Sequence, residues 1–287
     1  QPLTDTAWRG LTATEGYRRL RQRELAIGRR LDDTTFQRYL RSPATLARTD
    51  SLRGAVASWK RGDVTGAARR AAAYLPKGST LSARLYPVIK PATNTFVFEP
   101  ATDSAAIFFH LDRQAKLENT LAHELHHIGH AQACRDQEAA EADPKVAAAL
   151  RWVGAFGEGV AMLAAAGGVD AHPHAVSDSA ERSRWERDYA NVGRDLAAVE
   201  GFLTRILDGT LAGDAITAEG MKFFGDAQGA WYTVGYLMAT TIERAEGREA
   251  LIGVLCDRRG LLPAYERAVA KGEGARWSAG FLRRLGV

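Results

Sequence analysis

The sequence predicts a mainly helical α+β protein, in which a small β-sheet lies beside one helix and helical parts precede and follow that core. Of the 287 residues, 46% are apolar and 25% are charged, which is typical of a globular chain. Alanine and arginine are abundant, whereas strand-like stretches are few and fall together between residues 80 and 112. Helices are therefore expected over most of the chain.

The charge balance argues against nucleic acid as a partner. The chain has 38 lysines and arginines against 34 aspartates and glutamates, which gives a net charge of +4. Such a small and scattered excess does not form the basic patch that nucleic-acid binding requires. No apolar run reaches the roughly 18 residues of a membrane helix, so we expect no transmembrane segment. The sequence indicates no oligomeric state.

Residues 1–78 form the first of three predicted parts. Apolar residues between Leu20 and Leu31 recur among arginines, as on one face of a helix. Breaks are predicted at Ser42-Pro43 and at residues 60–63. This part is therefore expected to be a series of short helices.

Residues 79–175 form the second part, the predicted core. Residues 81–86 alternate apolar and polar side chains, as a half-buried strand does. Two more strands are predicted at residues 96–98 and 105–112, followed by a helix over residues 117–130. The last strand is expected to form the edge of a cleft, where an extended peptide adds by main-chain hydrogen bonds.

Three histidines of the predicted core lie outside its helix. His110 is on the last strand, where a structural or rim role is the usual one and contact with substrate is the alternative that we carry forward. His172 and His174 lie in a predicted loop over residues 167–179 and are expected to be exposed. None of the three is expected to bind the metal discussed below.

Residues 176–287 form the third part, expected to be helical and to complete the cleft. One amphipathic helix is predicted over residues 180–210, and residues 213–219 are predicted to be a connection. In the next helical stretch Tyr232 and Tyr236 are four residues apart, so they share a helix face.

The predicted core is organised around His123-Glu124-Leu125-His126-His127, which has the pattern H-E-x-x-H. Residues four apart lie on one face of a helix. His123 and His127 can therefore bind one zinc ion, and Glu124 can reach a water on that ion. The alternative is a polar helix that happens to carry four of the chain's seven histidines.

A catalytic zinc takes three protein ligands and keeps a fourth position open, so a third ligand is needed. His130 lies about 10 Å along the helix axis from His123, too far to complete a tetrahedron. The metzincin pattern needs Gly and His three and six residues after the second ligand. Gly129 and Ala133 are instead two and six residues after His127, which excludes that pattern.

His126 and His130 repeat the four-residue spacing. In that register, however, His127 occupies the place of the general base, so the pair would bind metal without hydrolysis. We expect both side chains to turn outward or to make hydrogen bonds around the site.

Glu158 is the best candidate for the third ligand. Glu138 and Glu141 lie in a polar stretch that is expected to be solvated. Glu158 follows His127 by 31 residues, which is enough for a turn and a returning helix. Its neighbours are apolar or small, and a buried carboxylate is costly unless an ion compensates it. The glycines on both sides of Glu158 would also let another backbone approach closely.

The expected chemistry is hydrolysis of an amide. Zinc lowers the pKa of its water toward about 7, and Glu124 accepts the proton and passes it to the leaving amine. The developing oxyanion needs a second donor. Tyr232 and Tyr236 are the candidates, with Tyr236 preferred for its position beside Gly235; the alternative is that both are packing residues.

The cysteines and the first residue bear on localisation. Cys134 and Cys256 either form one disulfide in an oxidising compartment or remain buried thiols. The chain begins at Gln1, as a mature exported protein or a truncated one would. We expect a periplasmic or secreted protein.

HELHH followed by the EGVA segment that begins at Glu158 resembles the Glu-zincins, the thermolysin-like clan of zinc metallopeptidases. The resemblance implies a zincin-like catalytic domain with His123, His127 and Glu158 as zinc ligands and Glu124 as base. Thermolysin has a carboxylate four residues after the third ligand, where this chain has Met162. The partners that orient the ligand histidines are therefore expected to differ.

Three segments together resemble a group of bacterial zinc-dependent peptidases defined by a domain of unknown function. They are AHELHHIG, the EGVA segment, and WYTVGYLMATTIE followed by GREAL, and they span residues 80–270 approximately. This resemblance implies a mostly helical zincin fold and export from the cytoplasm, and it indicates no substrate.

Three hypotheses follow from the sequence. The leading one is a zinc-dependent peptidase that acts on a peptide or protein. The second is a zinc-binding module without catalysis, against which the presence of Glu124 argues, because a structural site needs no base. The third is a zinc hydrolase of non-peptide amides or esters.

Overall fold

The computed structural model describes residues 3–29, 32–91, 94–111, 117–135, 143–225, 228–272 and 274–287. The chain is 65% helical with one three-stranded sheet among the described residues, which confirms the mainly helical prediction with a small sheet. By its internal contacts it divides into two compact units: residues 1–63 with 82–117, and residues 64–81 with 118–287. The three parts expected from the sequence stay a prediction.

The first unit begins with five short helices, the first four of which have polar N-terminal caps. Thr4, Thr14, Asp32 and Ser42 each accept a main-chain N–H in the first turn of one of the first four helices, which satisfies a donor that the helix leaves free. These helices are α1 (Asp5–Thr12), α2 (Glu15–Ala26), α3 (Asp33–Leu40), α4 (Pro43–Ala47) and α5 (Thr49–Trp59). The predicted break at Ser42-Pro43 is the start of α4.

The sheet of the first unit consists of β1 (Arg84–Val88), β2 (Phe96–Phe98) and β3 (Ala106–His110). Its order is β1-β3-β2, with β1 parallel and β2 antiparallel to β3. All five residues of β3 are buried, and Phe108 stacks between Tyr86 and Phe96. The expectation that the last strand lies at a cleft edge and is free to pair with an extended peptide is wrong, because β3 has a neighbouring strand on each side.

The second unit contains the remaining helices. They are α6 (Val64–Ala72), α7 (Leu117–Cys134, all but its first residue), α8 (Pro144–Val153), α9 (Gly157–Ala166), α10 (Ser179–Tyr189), α11 (Val192–Asp208), α12 (Asp214–Gly220), α13 (Ala230–Glu246), α14 (Arg248–Gly253), α15 (Leu261–Val269) and α16 (Ala279–Leu285). Short 3-10 turns occupy Gly154–Phe156 and Met221–Phe224.

Helix α13 is at the centre of the second unit. It packs against α9, α11, α14 and α15, and its residues Trp231, Val234 and Ile242 are fully buried. The guanidinium of Arg70 on α6 donates to Asn119 on α7 and to the main-chain oxygen of Ala165 on α9. Arg70 therefore joins the two helices that carry the H-E-x-x-H motif and Glu158.

The predicted connection over residues 213–219 is wrong, because α12 occupies Asp214–Gly220. Ile216 packs against the core of the second unit, and this tertiary contact outweighs the loop-like local composition. The helix predicted over residues 180–210 is interrupted at residues 190–191, between α10 and α11.

Cys134 and Cys256 form a disulfide that joins the end of α7 to the segment after α14. The alternative of two buried thiols is therefore not what the structure contains.

The helical stretch Pro144–Ala166 is long and apolar enough to cross a membrane by length and composition alone. Half of its most apolar window is buried inside the protein, and core helices of water-soluble proteins pass the same test. The expected absence of a transmembrane segment stays a prediction.

Candidate metal centre

Two imidazoles and one carboxylate converge in the second unit. The Nε2 atoms of His123 and His127 on α7 lie 3.0 Å apart. Oε2 of Glu158, in the first turn of α9, lies 3.1 Å from the first and 3.2 Å from the second. The structure therefore brings together the three residues that the sequence suggests as metal ligands.

The spacing of these three atoms fits a zinc ion. Bonds of about 2.0–2.1 Å in a tetrahedral arrangement place neighbouring ligand atoms about 3.3 Å apart. The three side chains are only 13–22% exposed, so a cation there would be largely shielded from water. Nitrogen and oxygen donors in this combination match the His₂Glu set of catalytic zinc sites.

The charges of the cluster also favour a bound cation. Burial alone would lower the pKa of His127, but the carboxylate of Glu158 outweighs it and raises that pKa to about 9. Burial alone would raise the pKa of Glu158, but His127 and His123 hold it well below its usual range. The lowered pKa of Glu158 and the raised pKa of His127 favour a carboxylate facing an imidazolium, whose proton a divalent cation would displace.

Glu124 follows the first histidine and is 9% exposed. Burial raises the pKa of its carboxyl, with His123 and His127 acting against the shift and Glu158 adding to it. The carboxyl of Glu124 therefore lies beside the candidate metal ligands with a raised affinity for protons.

Glycine accounts for the position of Glu158 relative to α13. A Cβ added to Gly159 would lie 1.9 Å from the main-chain nitrogen of Tyr236. A Cβ added to Gly235 would lie 2.4 Å from the main-chain oxygen of Phe156. The backbones of α9 and α13 therefore touch, as expected from the glycine after Glu158. Around Gly157, by contrast, an added Cβ meets nothing within 4 Å.

Tyr232 on α13 lies at the cluster. Its ring stacks against that of His123, with centroids 6.2 Å apart. Burial, followed by the charges of Glu158 and Glu124, raises the pKa of its hydroxyl, which therefore stays protonated. Tyr232 is placed as a hydrogen-bond donor.

Tyr236 has a different environment. Its ring packs edge-on against Trp185 and Tyr189 in the core, and burial followed by Tyr189 raises its pKa to about 12. Of the two tyrosines, Tyr232 is the one whose ring contacts a residue of the candidate metal site, and which of them donates to an oxyanion stays a prediction. The two share a helix face, but their rings meet different partners.

His126 and His130 are engaged by main-chain oxygens. His126 Nε2 lies 3.3 Å from the oxygen of Tyr74, and His130 Nε2 lies 2.9 Å from that of Leu255. Burial lowers the pKa of both rings, that of His126 strongly. Of the two expected alternatives, outward side chains or hydrogen bonds around the site, the structure has the hydrogen bonds, and His126 is 2% exposed. Both hold α7 in place.

The other predicted site residues lie elsewhere. His110 belongs to the first unit, is fully buried, and has its Nε2 3.0 Å from the main-chain oxygen of Lys90. Its role in substrate binding stays a prediction. Glu138 and Glu141 lie outside the described residues. The expected exposure of His174 is wrong, because it is buried beside Ser177.

Two features of the site were missed by sequence reasoning. Gly235 was noted only as a neighbour of Tyr236, although two glycines in apolar helices are a signal for close helix packing. The Nδ1 atom of His123 is buried without a hydrogen-bond partner among the described residues. Ligand histidines usually have such a partner, and Met162, four residues after Glu158, offers no carboxylate for it.

Fold and site together define a mainly helical protein with a candidate His-His-Glu metal centre. The chain belongs to the family described as "Putative zinc dependent peptidase (DUF5700)", whose model matches residues 8–273. Membership indicates zinc as the metal and a peptidase as the class of enzyme, and it confirms the resemblance to a family of zinc-dependent peptidases. No curated protein and no solved structure matches the chain.

Proposed function

We propose that this protein is a zinc peptidase of the Glu-zincin type that hydrolyses peptide bonds in polypeptide substrates. His123, His127 and Glu158 are the zinc ligands and Glu124 is the general base. The observation that carries the proposal is the convergence of these three donor atoms, 3.0–3.2 Å apart, beside a buried carboxylate.

The roles of the side chains follow from their positions. A zinc ion bound here would acidify water and polarise the substrate carbonyl. The Glu124 carboxylate accepts one proton from the attacking water as the new C–O bond forms. It then delivers that proton to the departing nitrogen as the C–N bond breaks, so that no proton or electron is left over.

Tyr232 supplies the second donor to the oxyanion. Its hydroxyl stays protonated because of burial and the nearby carboxylates, and its ring is fixed against His123. A preorganised donor of this kind stabilises charge that develops only in the transition state. Tyr236 has no part in this step.

Export from the cytoplasm is part of the proposal. The Cys134–Cys256 disulfide supports it, because such bonds persist in oxidising compartments and are rare in the cytosol.

The test combines metal analysis with peptide cleavage. We expect about one zinc per chain and cleavage of a denatured protein or a peptide library, with Glu124→Gln keeping the zinc and losing the cleavage. Zinc binding without any cleavage that depends on Glu124 would favour the non-catalytic module. Cleavage confined to small amides or esters would favour the non-peptide hydrolase. Absence of zinc would reject the proposal.

A further inference from the structure

A pocket of about 290 Å³ lies beside the metal-site residue His127 within the second unit. We call it the His127 pocket. It is lined by α7, by the junction of α8 and α9, and by the segment that follows α14. Val153 and Val160 are buried and line the pocket from α8 and α9. Leu255, in the segment after α14, and Leu261, the first residue of α15, line it as well.

The pocket continues the metal site along α7. His127, His130 and Cys134 all line it, and their spacing of three and four residues places them on the helix face that also carries His123. The segment opposite is fixed at two points, by the contact of His130 with the oxygen of Leu255 and by the disulfide at Cys134. The walls are therefore held in place.

Gly157 has no side chain and so leaves free space in the pocket. Its backbone is helical, with φ of −53°, so this position does not require glycine. A Cβ added there meets nothing within 4 Å, whereas one added at Gly159 meets the backbone of α13. Glycine in a helix is less stable than alanine. A larger side chain at position 157 would therefore reduce the free space of the pocket.

We propose that the His127 pocket is the substrate subsite that accepts an apolar side chain next to the scissile bond, and that Gly157 keeps it open. This deepens the proposed peptidase function and rests on it. The valines and leucines of the lining are apolar, and the charged residues that line the pocket, Arg151, Asp257 and Arg258, are exposed to solvent. The buried His126 also lines the pocket, with its Nε2 3.3 Å from the main-chain oxygen of Tyr74. Its volume of about 290 Å³ lies just below the range of about 300–1,000 Å³ for ligand pockets, so it fits one side chain rather than a whole ligand.

The experiment uses peptides that the wild type cleaves and varies only the residue on each side of the scissile bond among Phe, Leu, Ala and Asp. At one of the two positions the wild type should prefer Phe or Leu to Ala. Gly157→Val should lower kcat/KM for those large apolar residues about tenfold or more and leave the Ala peptide nearly unchanged. Gly54→Val, which adds the same side chain to an exposed helical glycine with free space around it, should leave the profile of the wild type intact.

A second readout does not depend on turnover. In the Glu124→Gln background, Gly157→Val should weaken binding of the Leu peptide and not of the Ala peptide. Zinc content is measured in each variant because Gly157 adjoins Glu158. Gly154→Val, which also enters the pocket and makes only an ordinary contact with Arg258, replaces any variant that has lost zinc.

The proposed subsite would be overturned if Gly157→Val lowered kcat/KM equally for all peptides or left the preference of the wild type unchanged. It would also be overturned if the wild type preferred Asp. If the wild type cleaves no peptide while size-dependent binding persists, the proposed function fails and the pocket remains a binding site. The two failures are thus distinguishable.

Discussion

Gly159 and Gly235 bring the backbones of α9 and α13 into direct contact, with the Cα of Gly159 3.1 Å from the position that a Cβ on Gly235 would take. This contact sets the distance between the helix that carries Glu158 and the helix that carries Tyr232. The first prediction concerns this contact.

Gly235→Ala should lower the free energy of unfolding by about 1–3 kcal/mol, the usual cost of overpacking, because the obstacle is the main-chain oxygen of Phe156 and not a flexible side chain. Urea titration of the metal-free protein measures the change. Gly201→Ala is the matched control, since Gly201 is also helical but has free space around it. Equal stabilities of the two variants would contradict the contact.

The second prediction concerns the metal ligands. His127→Ala and Glu158→Gln should each reduce the zinc content of purified protein well below that of the wild type, because two donors remain of three. His130→Ala should keep its zinc, since His130 bonds the main-chain oxygen of Leu255. Elemental analysis after dialysis against a weak chelator checks this. Loss of zinc in His130→Ala alone would show that the wrong histidines were chosen.

The third prediction concerns Glu124. Glu124→Gln should keep the fold and the zinc and lower kcat by about 10²–10⁴, the usual contribution of a general base. Glu118→Gln removes an exposed carboxylate from the first turn of the same helix and should leave kcat unchanged. Steady-state cleavage of one peptide at saturating substrate makes the comparison. A fully active Glu124→Gln would remove the base from the mechanism.

The fourth prediction separates the two tyrosines. Tyr232→Phe should lower kcat by about 10²–10³ with little change in KM, because it removes a donor that acts in the transition state. Tyr236→Phe keeps the ring that packs on Trp185 and should leave kcat intact. If the two effects were reversed, Tyr236 and not Tyr232 would be the donor.

The site was more predictable than the fold around it. The spacing of His123 and His127 is a property of any α-helix, and the apolar surroundings of Glu158 made a solvated carboxylate costly, so local rules were enough to group these residues. The choice between Tyr232 and Tyr236 was not local: both lie on one face of α13, and only the packing of Trp185 and Tyr189 decides which ring reaches the cluster.

The strand order depended on distant contacts in the same way. The parallel pairing of β1 with β3 joins residues that are 22 positions apart, such as Arg84 and Ala106, and it places β3 in the centre of the sheet. An alternating pattern specifies a strand but not its neighbours. Ile216 in α12 is a further case, since its burial against the core is invisible in the local sequence.

The last prediction concerns the disulfide. Cys134 and Cys256 are separated by 122 residues, so their bond restricts a long loop of the unfolded chain. Replacing both by serine should lower the free energy of unfolding by about 2–5 kcal/mol. The same loss should appear when the wild type is unfolded under a reducing agent, whereas the double variant should not respond to that agent. Because both residues line the His127 pocket, the Leu-over-Ala preference should also weaken in the double variant. A double variant as stable as the wild type would show that packing, including the contact of His130 with Leu255, holds this segment without the bond.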